Sequence, residues 1–148
     1  MTMLWLTVMM LMISLPALAS DDAGTIKNSR GSVSIERNGQ KIPAAAGMSV
    51  FTGDRVITGT DGSVGITLRD NTLLSAGPKS SLVLNRFAYN SSTNDGAIDA
   101  TVKRGTLAVV SGKIAKNSPS SVKFHTPAAI LGVRGTEFVI DAGSGKED

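Results

Sequence analysis

The sequence predicts an all-β domain: a jelly-roll-like β-sandwich or roll of about ten short, mainly antiparallel strands. Three observations predict it. Apolar and polar residues alternate in short runs. Val33 and Ile35 oppose Ser34 and Glu36. Val64, Ile66 and Leu68 oppose Ser63, Gly65 and Thr67. Thr136, Phe138 and Ile140 oppose Glu137, Val139 and Asp141. Turn signals separate these runs at close spacing: Asn38-Gly39, Gly53-Asp54, Asp61-Gly62, Asp70-Asn71, Gly77-Pro78 and Arg104-Gly105. No segment keeps a helical period over several turns. Residues 109–115 come nearest, and Gly112 argues against a helix there.

Taken in order, residues 25–27 form a short first strand. Residues 32–37 form the next, and Asn38-Gly39 turns the chain as a type I′ hairpin. Residues 40–42 return, ended by Pro43. Met48, Val50 and Phe51 lead to the Gly53-Asp54 turn and a strand over 55–58. Residues 59–62 turn into the strand 63–68. Residues 69–71 form a tight turn in which Asn71 tolerates a left-handed backbone. Strands over 72–76 and 80–86 follow, split by Gly77-Pro78. Residues 89–96 are the longest polar connection and an exposed hairpin tip. Strands over 97–103 and 106–110 meet at Arg104-Gly105. Residues 113–121 form a second, mostly polar connection before the strand 122–125. Pro127 stops that run, Gly132 and Gly135 bracket a turn at Val133-Arg134, and 136–141 closes the sheet.

Composition agrees. The chain has 148 residues, enough for one domain, and is 41% hydrophobic but only 4% aromatic, so the core is built from Val, Ile, Leu and Ala. The net charge of +3 comes from scattered basic residues, never more than two adjacent. A nucleic-acid footprint needs a basic stripe with a motif or stacking aromatics, and neither is present. The absence of Cys excludes disulfides, thiolate metal sites and a lipid-anchored cysteine.

Residues 1–19 read as a signal peptide. Residues 3–13 are apolar apart from Thr7, Pro16 breaks the run, and Ala17-Leu18-Ala19 fits the cleavage pattern. No Lys or Arg precedes the run, which departs from that pattern. The other reading is an uncleaved anchor, although Ser14 and Pro16 interrupt the run and a spanning helix needs about 20 apolar residues. The expected organisation is a signal peptide at 1–19, a lead-in at 20–30, the β domain at 31–141 and a polar tail at 142–148. The expected location is periplasmic or secreted, after cleavage near Ala19/Ser20, with membrane contact only if the N-terminus stays uncleaved.

His125 is the sole histidine, and one His without clustered carboxylates is a poor metal site. Asp54, Asp61 and Asp70 each sit in a turn beside Gly or Asn. Their spacing matches no calcium loop, and bonding to the local backbone accounts for them. No G-x-S-x-G elbow is present. A hydrolase would need a paired acid and base in a cleft, whereas these carboxylates have turn roles. No catalytic residue, metal or cofactor is expected. Arg134 and Glu137 are the sharpest pair. Arg134 can lie along apolar surface and pair with a carboxylate, Asp54 or Asp70 being candidates. That arrangement either recognises an anion or pins a turn, and the pinned turn is preferred. Exposed edge strands allow a partner peptide to add as a further strand.

Four stretches carry a family resemblance: G-M-S-V-F-T-G-D-R-V-I-T-G at 47–59, L-R-D-N-T-L-L-S-A-G-P-K-S-S-L-V-L at 68–84, the Gly and apolar strand at 104–110, and the Thr-Pro and Val-Arg-Gly-Thr-Glu-Phe within 124–140. In this order they resemble the FecR domain family, a periplasmic domain named for the ferric-citrate regulator, over residues 31–141. The resemblance implies an all-β jelly roll or sandwich with a binding or signal-relay role and no catalysis. It directs attention to Gly53, Asp54, Asp70, Arg134, Gly135, Thr136 and Glu137 as structural or interaction positions. Asn71 stands where the family usually has Gly. In the full-length regulators, a cytoplasmic segment meets a sigma factor, and a part C-terminal to this domain meets an outer-membrane transporter. With no cytoplasmic segment recognised here and little after Asp141, neither role is expected to carry over. The expected partner is an envelope protein, a peptide or a glycan. The alternative is a membrane-anchored regulator of the sigma-factor-regulator type, or a fragment of one.

Overall fold

The computed structural model describes residues 22–132 and 136–144. The proposed signal peptide, and Val133, Arg134 and Gly135, lie outside them. The described chain forms a two-sheet all-β sandwich. Its strands are β1 (Gly24–Arg30), β2 (Val33–Arg37), β3 (Gln40–Pro43), β4 (Ser49–Val50), β5 (Arg55–Thr58), β6 (Ser63–Leu68) and β7 (Leu73–Ala76). They continue with β8 (Ser81–Asn90), β9 (Asp95–Arg104), β10 (Thr106–Val110), β11 (Val122–His125), β12 (Ile130–Gly132) and β13 (Glu137–Asp141). One short helix, α1 (Lys113–Asn117), precedes β11. The six-stranded sheet has the order β13-β10-β7-β6-β1-β4, and the seven-stranded sheet β12-β11-β9-β8-β5-β2-β3.

Local chemistry explains most of these elements. Asn38 and Gly39 both take positive φ, 51° and 76°, which a type I′ turn requires, and β2 and β3 pair across them from Arg37↔Gln40 outward. Asn71 turns β6 into β7 at φ 69°. Every strand pairing is antiparallel except β9 with β11. The chain leaves β9, crosses to the other sheet as β10, and returns through α1 to lie alongside β9. A parallel neighbour needs such a crossover.

Thirteen strands exceed the expected number because β4 and β12, of two and three residues, are too short to display a period. The first strand is longer than residues 25–27. It runs Gly24–Arg30 between β6 and β4, with Ala23 and Ile26 buried, so part of the expected lead-in is sheet. The 89–96 tip is shorter than expected: β8 and β9 continue to Asn90 and from Asp95, leaving 91–94 as the exposed turn. Gly132 is the last residue of β12, and the expected turn at Val133-Arg134 lies outside the described residues. The chain reverses earlier, where Thr126 and Ala129 exchange backbone bonds. The 136–141 run forms β13 with the expected faces, but at the sheet's rim.

The core fills the space between the sheets with small and branched side chains: Ile26, Ile35, Leu68, Leu74, Ile98 and Leu107 are each buried to within 2%. Full burial of such a side chain contributes about 1.5–3 kcal/mol. Phe124 is completely buried and meets half-buried Phe138 edge-on, at 5.7 Å and 74°. That contact joins β11 of one sheet to β13 of the other.

Candidate interaction surface

The polar residues singled out in turns are occupied in holding the fold. Gly53, at φ 92°, donates its N–H to the Leu84 carbonyl at 2.7 Å and tightens the 51–54 turn against β8. Asp54 is 1% exposed. Its carboxylate accepts the Phe51 N–H at 2.9 Å and two bonds from Arg37, Nε at 2.9 Å and Nη2 at 2.8 Å. Arg37 also donates to the Ser49 carbonyl, and its guanidinium lies over the Phe51 ring at 4.7 Å. The hydrogen bond that Arg37 donates to Asp54 raises the Arg37 pKa, against an opposing effect of burial and with help from the carboxylate's charge. The described partner of Asp54 is Arg37 at the end of β2, while Arg134, the candidate partner named from the sequence, lies outside the described residues. Sequence reasoning missed Arg37, although its place directly before the Asn38-Gly39 turn was a usable signal.

Asp70 is fully buried. Its carboxylate accepts the Thr72 N–H at 3.1 Å, the Thr72 hydroxyl at 2.8 Å and the Ile114 N–H at 3.2 Å, while its carbonyl accepts the Lys113 N–H at 2.8 Å. Helix α1 has no capping side chain of its own, and Gly112 occupies its N-cap. The β6–β7 turn supplies the cap instead. A Cβ on Gly112 would collide with the Asp70 carbonyl and the Thr72 nitrogen. Gly112, taken from the sequence as an argument against a helix, is what lets this one form. The 113–121 connection is accordingly more than polar loop, since α1 buries Ile114 and Ala115. The candidate pairing of Asp70 with Arg134 lies outside the described residues.

A third polar group escaped sequence reasoning. His125 on β11 places Nε2 at 3.0 and 3.1 Å from the two Asp99 carboxylate oxygens on β9. Asn85 donates to Asp99 at 2.9 Å and to the Thr101 hydroxyl at 2.7 Å. Burial raises the Asp99 pKa, but hydrogen bonds from Asn85 and His125 and the charges of His125 and Lys123 outweigh it and hold the group below its ordinary value. The parallel β9–β11 pairing creates this cluster, which no local pattern announces. Among the described residues, no group of three or more His, Asp or Glu could hold a metal ion.

The surface with interaction character lies elsewhere, at the seam where the two sheets end. β13 pairs only with β10, and β12 only with β11, among the described residues. Between them lies a cleft of about 670 Å³ lined by Pro119, Val122, Lys123, Ile130, Leu131 and Phe138, among others. Val139 and Ile130 are 70% and 68% exposed, with Leu131 and Val110 about half as open. These four are the exposed large apolar side chains of the described chain, and all lie at this end. A cluster of this kind, unlike scattered apolar residues, marks a contact surface. Thr136 and Glu137 are exposed at its edge. The Thr136 carbonyl accepts the Ser111 N–H at 2.7 Å, and Glu137 sits opposite Val110. Five of the seven anticipated positions are thus located. Gly53, Asp54 and Asp70 hold turns, and Glu137 faces solvent beside the seam together with Thr136. Arg134 and Gly135 fall outside the described residues.

Fold and surface define a two-sheet all-β domain whose polar turn residues are structural. The family model described as "FecR protein" matches residues 54–147, and the chain belongs to the FecR family. That family is regulatory rather than enzymatic, is associated with the envelope, and acts in signal transduction. No curated protein and no solved structure matches the chain. Among the described residues, no helix is long and apolar enough to cross a membrane.

Proposed function

We propose that the chain is an exported, non-enzymatic FecR-like module that relays signals in the bacterial envelope by binding a protein partner at the seam between β12 and β13. The carrying observation is that exposed Ile130, Leu131 and Val139 line a cleft bordered by two open sheet edges, with exposed Val110 opposite Glu137 on the neighbouring strand. Open edges offer main-chain hydrogen bonds, and the apolar cleft offers burial. Asp54, Asp70 and Asp99, the carboxylates drawn into the fold, are committed to Arg37, to α1 and to His125. Export rests on the leader-like residues 1–19.

The test is capture of partners from envelope extract by the tagged full chain, beside an Ile130→Asp/Val139→Asp variant. Both positions are exposed, so the variant keeps its fold. A protein retained by the parent and lost by the variant supports the seam. Equal retention moves the binding surface elsewhere, and retention of glycan alone replaces the protein partner with a carbohydrate. The apolar run at residues 3–13 also supports the alternative of a membrane-anchored regulator. Fractionation with N-terminal sequencing separates the two: a soluble chain starting near Ser20 supports export, and a full-length chain in the membrane fraction supports the anchor.

A further inference from the structure

The β13 edge has a charge pattern that names its partner more closely, on the premise that the seam is the binding surface. In the β10–β13 ladder, the Thr136 carbonyl accepts from Ser111 and the Ala142 N–H donates to Gly105. Pairing runs without a shift from Thr106↔Asp141 to Val110↔Glu137. Alternation along an antiparallel strand then turns the backbone groups of Phe138 and Ile140 toward β10 and those of Glu137, Val139 and Asp141 toward the open edge. The same three residues have exposed side chains, whereas Ile140 is buried and Phe138 half-buried. The open edge thus presents acid, apolar, acid on the outer face. The outward residues of β10 beside them are Thr106, Ala108 and Val110, all uncharged. Neither Glu137 nor Asp141 has an ion-pair partner among the described residues, and Asp141 uses one oxygen to accept the Gly143 N–H.

A second copy is a poor occupant. Antiparallel self-pairing centred on Val139 sets Glu137 against Asp141 twice, and like charges directly opposite are destabilising. A strand with complementary charge fits. Its residues opposite Glu137 and Asp141 are basic, and the one opposite Val139 is apolar. The two between them face inward, into the cleft lined by Phe138, Ile130, Leu131 and Val122.

We propose that β13 takes up an extended segment of a partner protein with the pattern basic–apolar–apolar–apolar–basic, added antiparallel along Glu137–Asp141. Recognition combines main-chain bonding at three residues with two charge pairs that flank an apolar centre.

The test titrates the isotope-labelled full chain with two soluble peptides, Lys-Val-Ile-Val-Lys and Glu-Val-Ile-Val-Glu, each flanked by Gly-Ser, and follows backbone amide shifts. The expected result is a preference of about tenfold for the basic peptide, with shifts centred on Glu137, Val139 and Asp141 and weakened by salt. Glu137→Lys/Asp141→Lys should reverse the preference. Val139→Pro removes an N–H that faces the open edge and no bond to β10. It should abolish both interactions at an unchanged melting temperature. Equal binding of both peptides, a preference that survives charge reversal, or no binding overturns the proposed pattern. Dimerisation through β13 in sedimentation also overturns it, by making a second copy the occupant. If Val139→Pro still abolishes capture from envelope extract in any of these cases, the seam reading stands without the charge pattern. If Val139→Pro leaves capture intact, the seam reading fails as well.

Discussion

The Asp70 carboxylate accepts the backbone N–H of Ile114 at 3.2 Å, across forty-four positions of sequence. One buried side chain thus fixes the β6–β7 turn and caps the helix that leads into β11. Asp70→Ala strands the Thr72 N–H, the Thr72 hydroxyl and the Ile114 N–H in a buried site. Loss of the cap costs about 2 kcal/mol and lowers the melting temperature by roughly 5–10 °C. Thermal unfolding by circular dichroism measures it. A change within a degree would mean that another group takes over the cap.

Gly112→Ala should act on the same joint from the other side. The added Cβ meets backbone of the β6–β7 turn, which has no flexible end to move aside. The expected outcome is faster amide exchange at Ile114 and Ala115, with exchange in the distant strands β2 and β5 little changed. Protection equal to that of the parent chain would show that the turn yields.

Arg37 and Asp54 form the second joint. Arg37→Ala leaves a carboxylate that is 1% exposed without its bidentate partner. Removing one member of a fully buried pair costs about 3–5 kcal/mol. Because the Arg37 side chain is 29% exposed, the loss here is nearer to about 2 kcal/mol. Arg37→Lys should recover less than half, since an ammonium cannot make the parallel two-bond contact. A double-mutant cycle with Asp54→Ala, followed by urea unfolding, gives the coupling. Additive losses would show that the two residues act independently.

Stability should also fall at acidic pH through Asp99. Burial works toward a higher pKa, but hydrogen bonds from Asn85 and His125 and the nearby positive charges depress the group in the folded state. A depressed carboxyl stabilises the fold above its unfolded value, about pH 4, and loses that contribution as pH drops through the folded value. With a third of the side chain exposed, the contribution stays below about 1 kcal/mol. Urea unfolding at neutral pH and near pH 3 should show a larger drop for the parent than for Asp99→Asn. Parallel pH profiles would remove Asp99 from the acid response.

Legibility followed the range of the interactions. Strands 106–110 and 122–125 are found at the expected positions, because alternation and flanking turns are local signals. Asn38-Gly39 and Asn71 adopt the backbone their chemistry predicts. Helix α1 was hidden because its cap comes from Asp70, far away in sequence. β12 was hidden because Ile130, Leu131 and Gly132 are all exposed and show no alternation. At the candidate site, the importance of Asp54 and Asp70 could be read from their turns, but their partners could not. Partner choice is tertiary: Arg37, Ile114 and the Asp99–His125 pair become neighbours only once the sheets assemble. The apolar seam was foreshadowed only as an unassigned open edge.

The placement of β1 bears on where this domain can be cut. The family match begins at Asp54, yet β1 lies inside the six-stranded sheet, covering the edge of β6, and β2 flanks β5 in the other. Asp54 itself is held by Arg37, seventeen residues before the match opens. A polypeptide trimmed to residues 54–147 would expose β5 and β6 as raw sheet edges in addition to the open seam, with Ile66 stripped of Ile26, and raw edges of that kind invite aggregation. The segment by which the family is recognised is thus smaller than the unit that can fold, and soluble expression needs the chain from before Ala23.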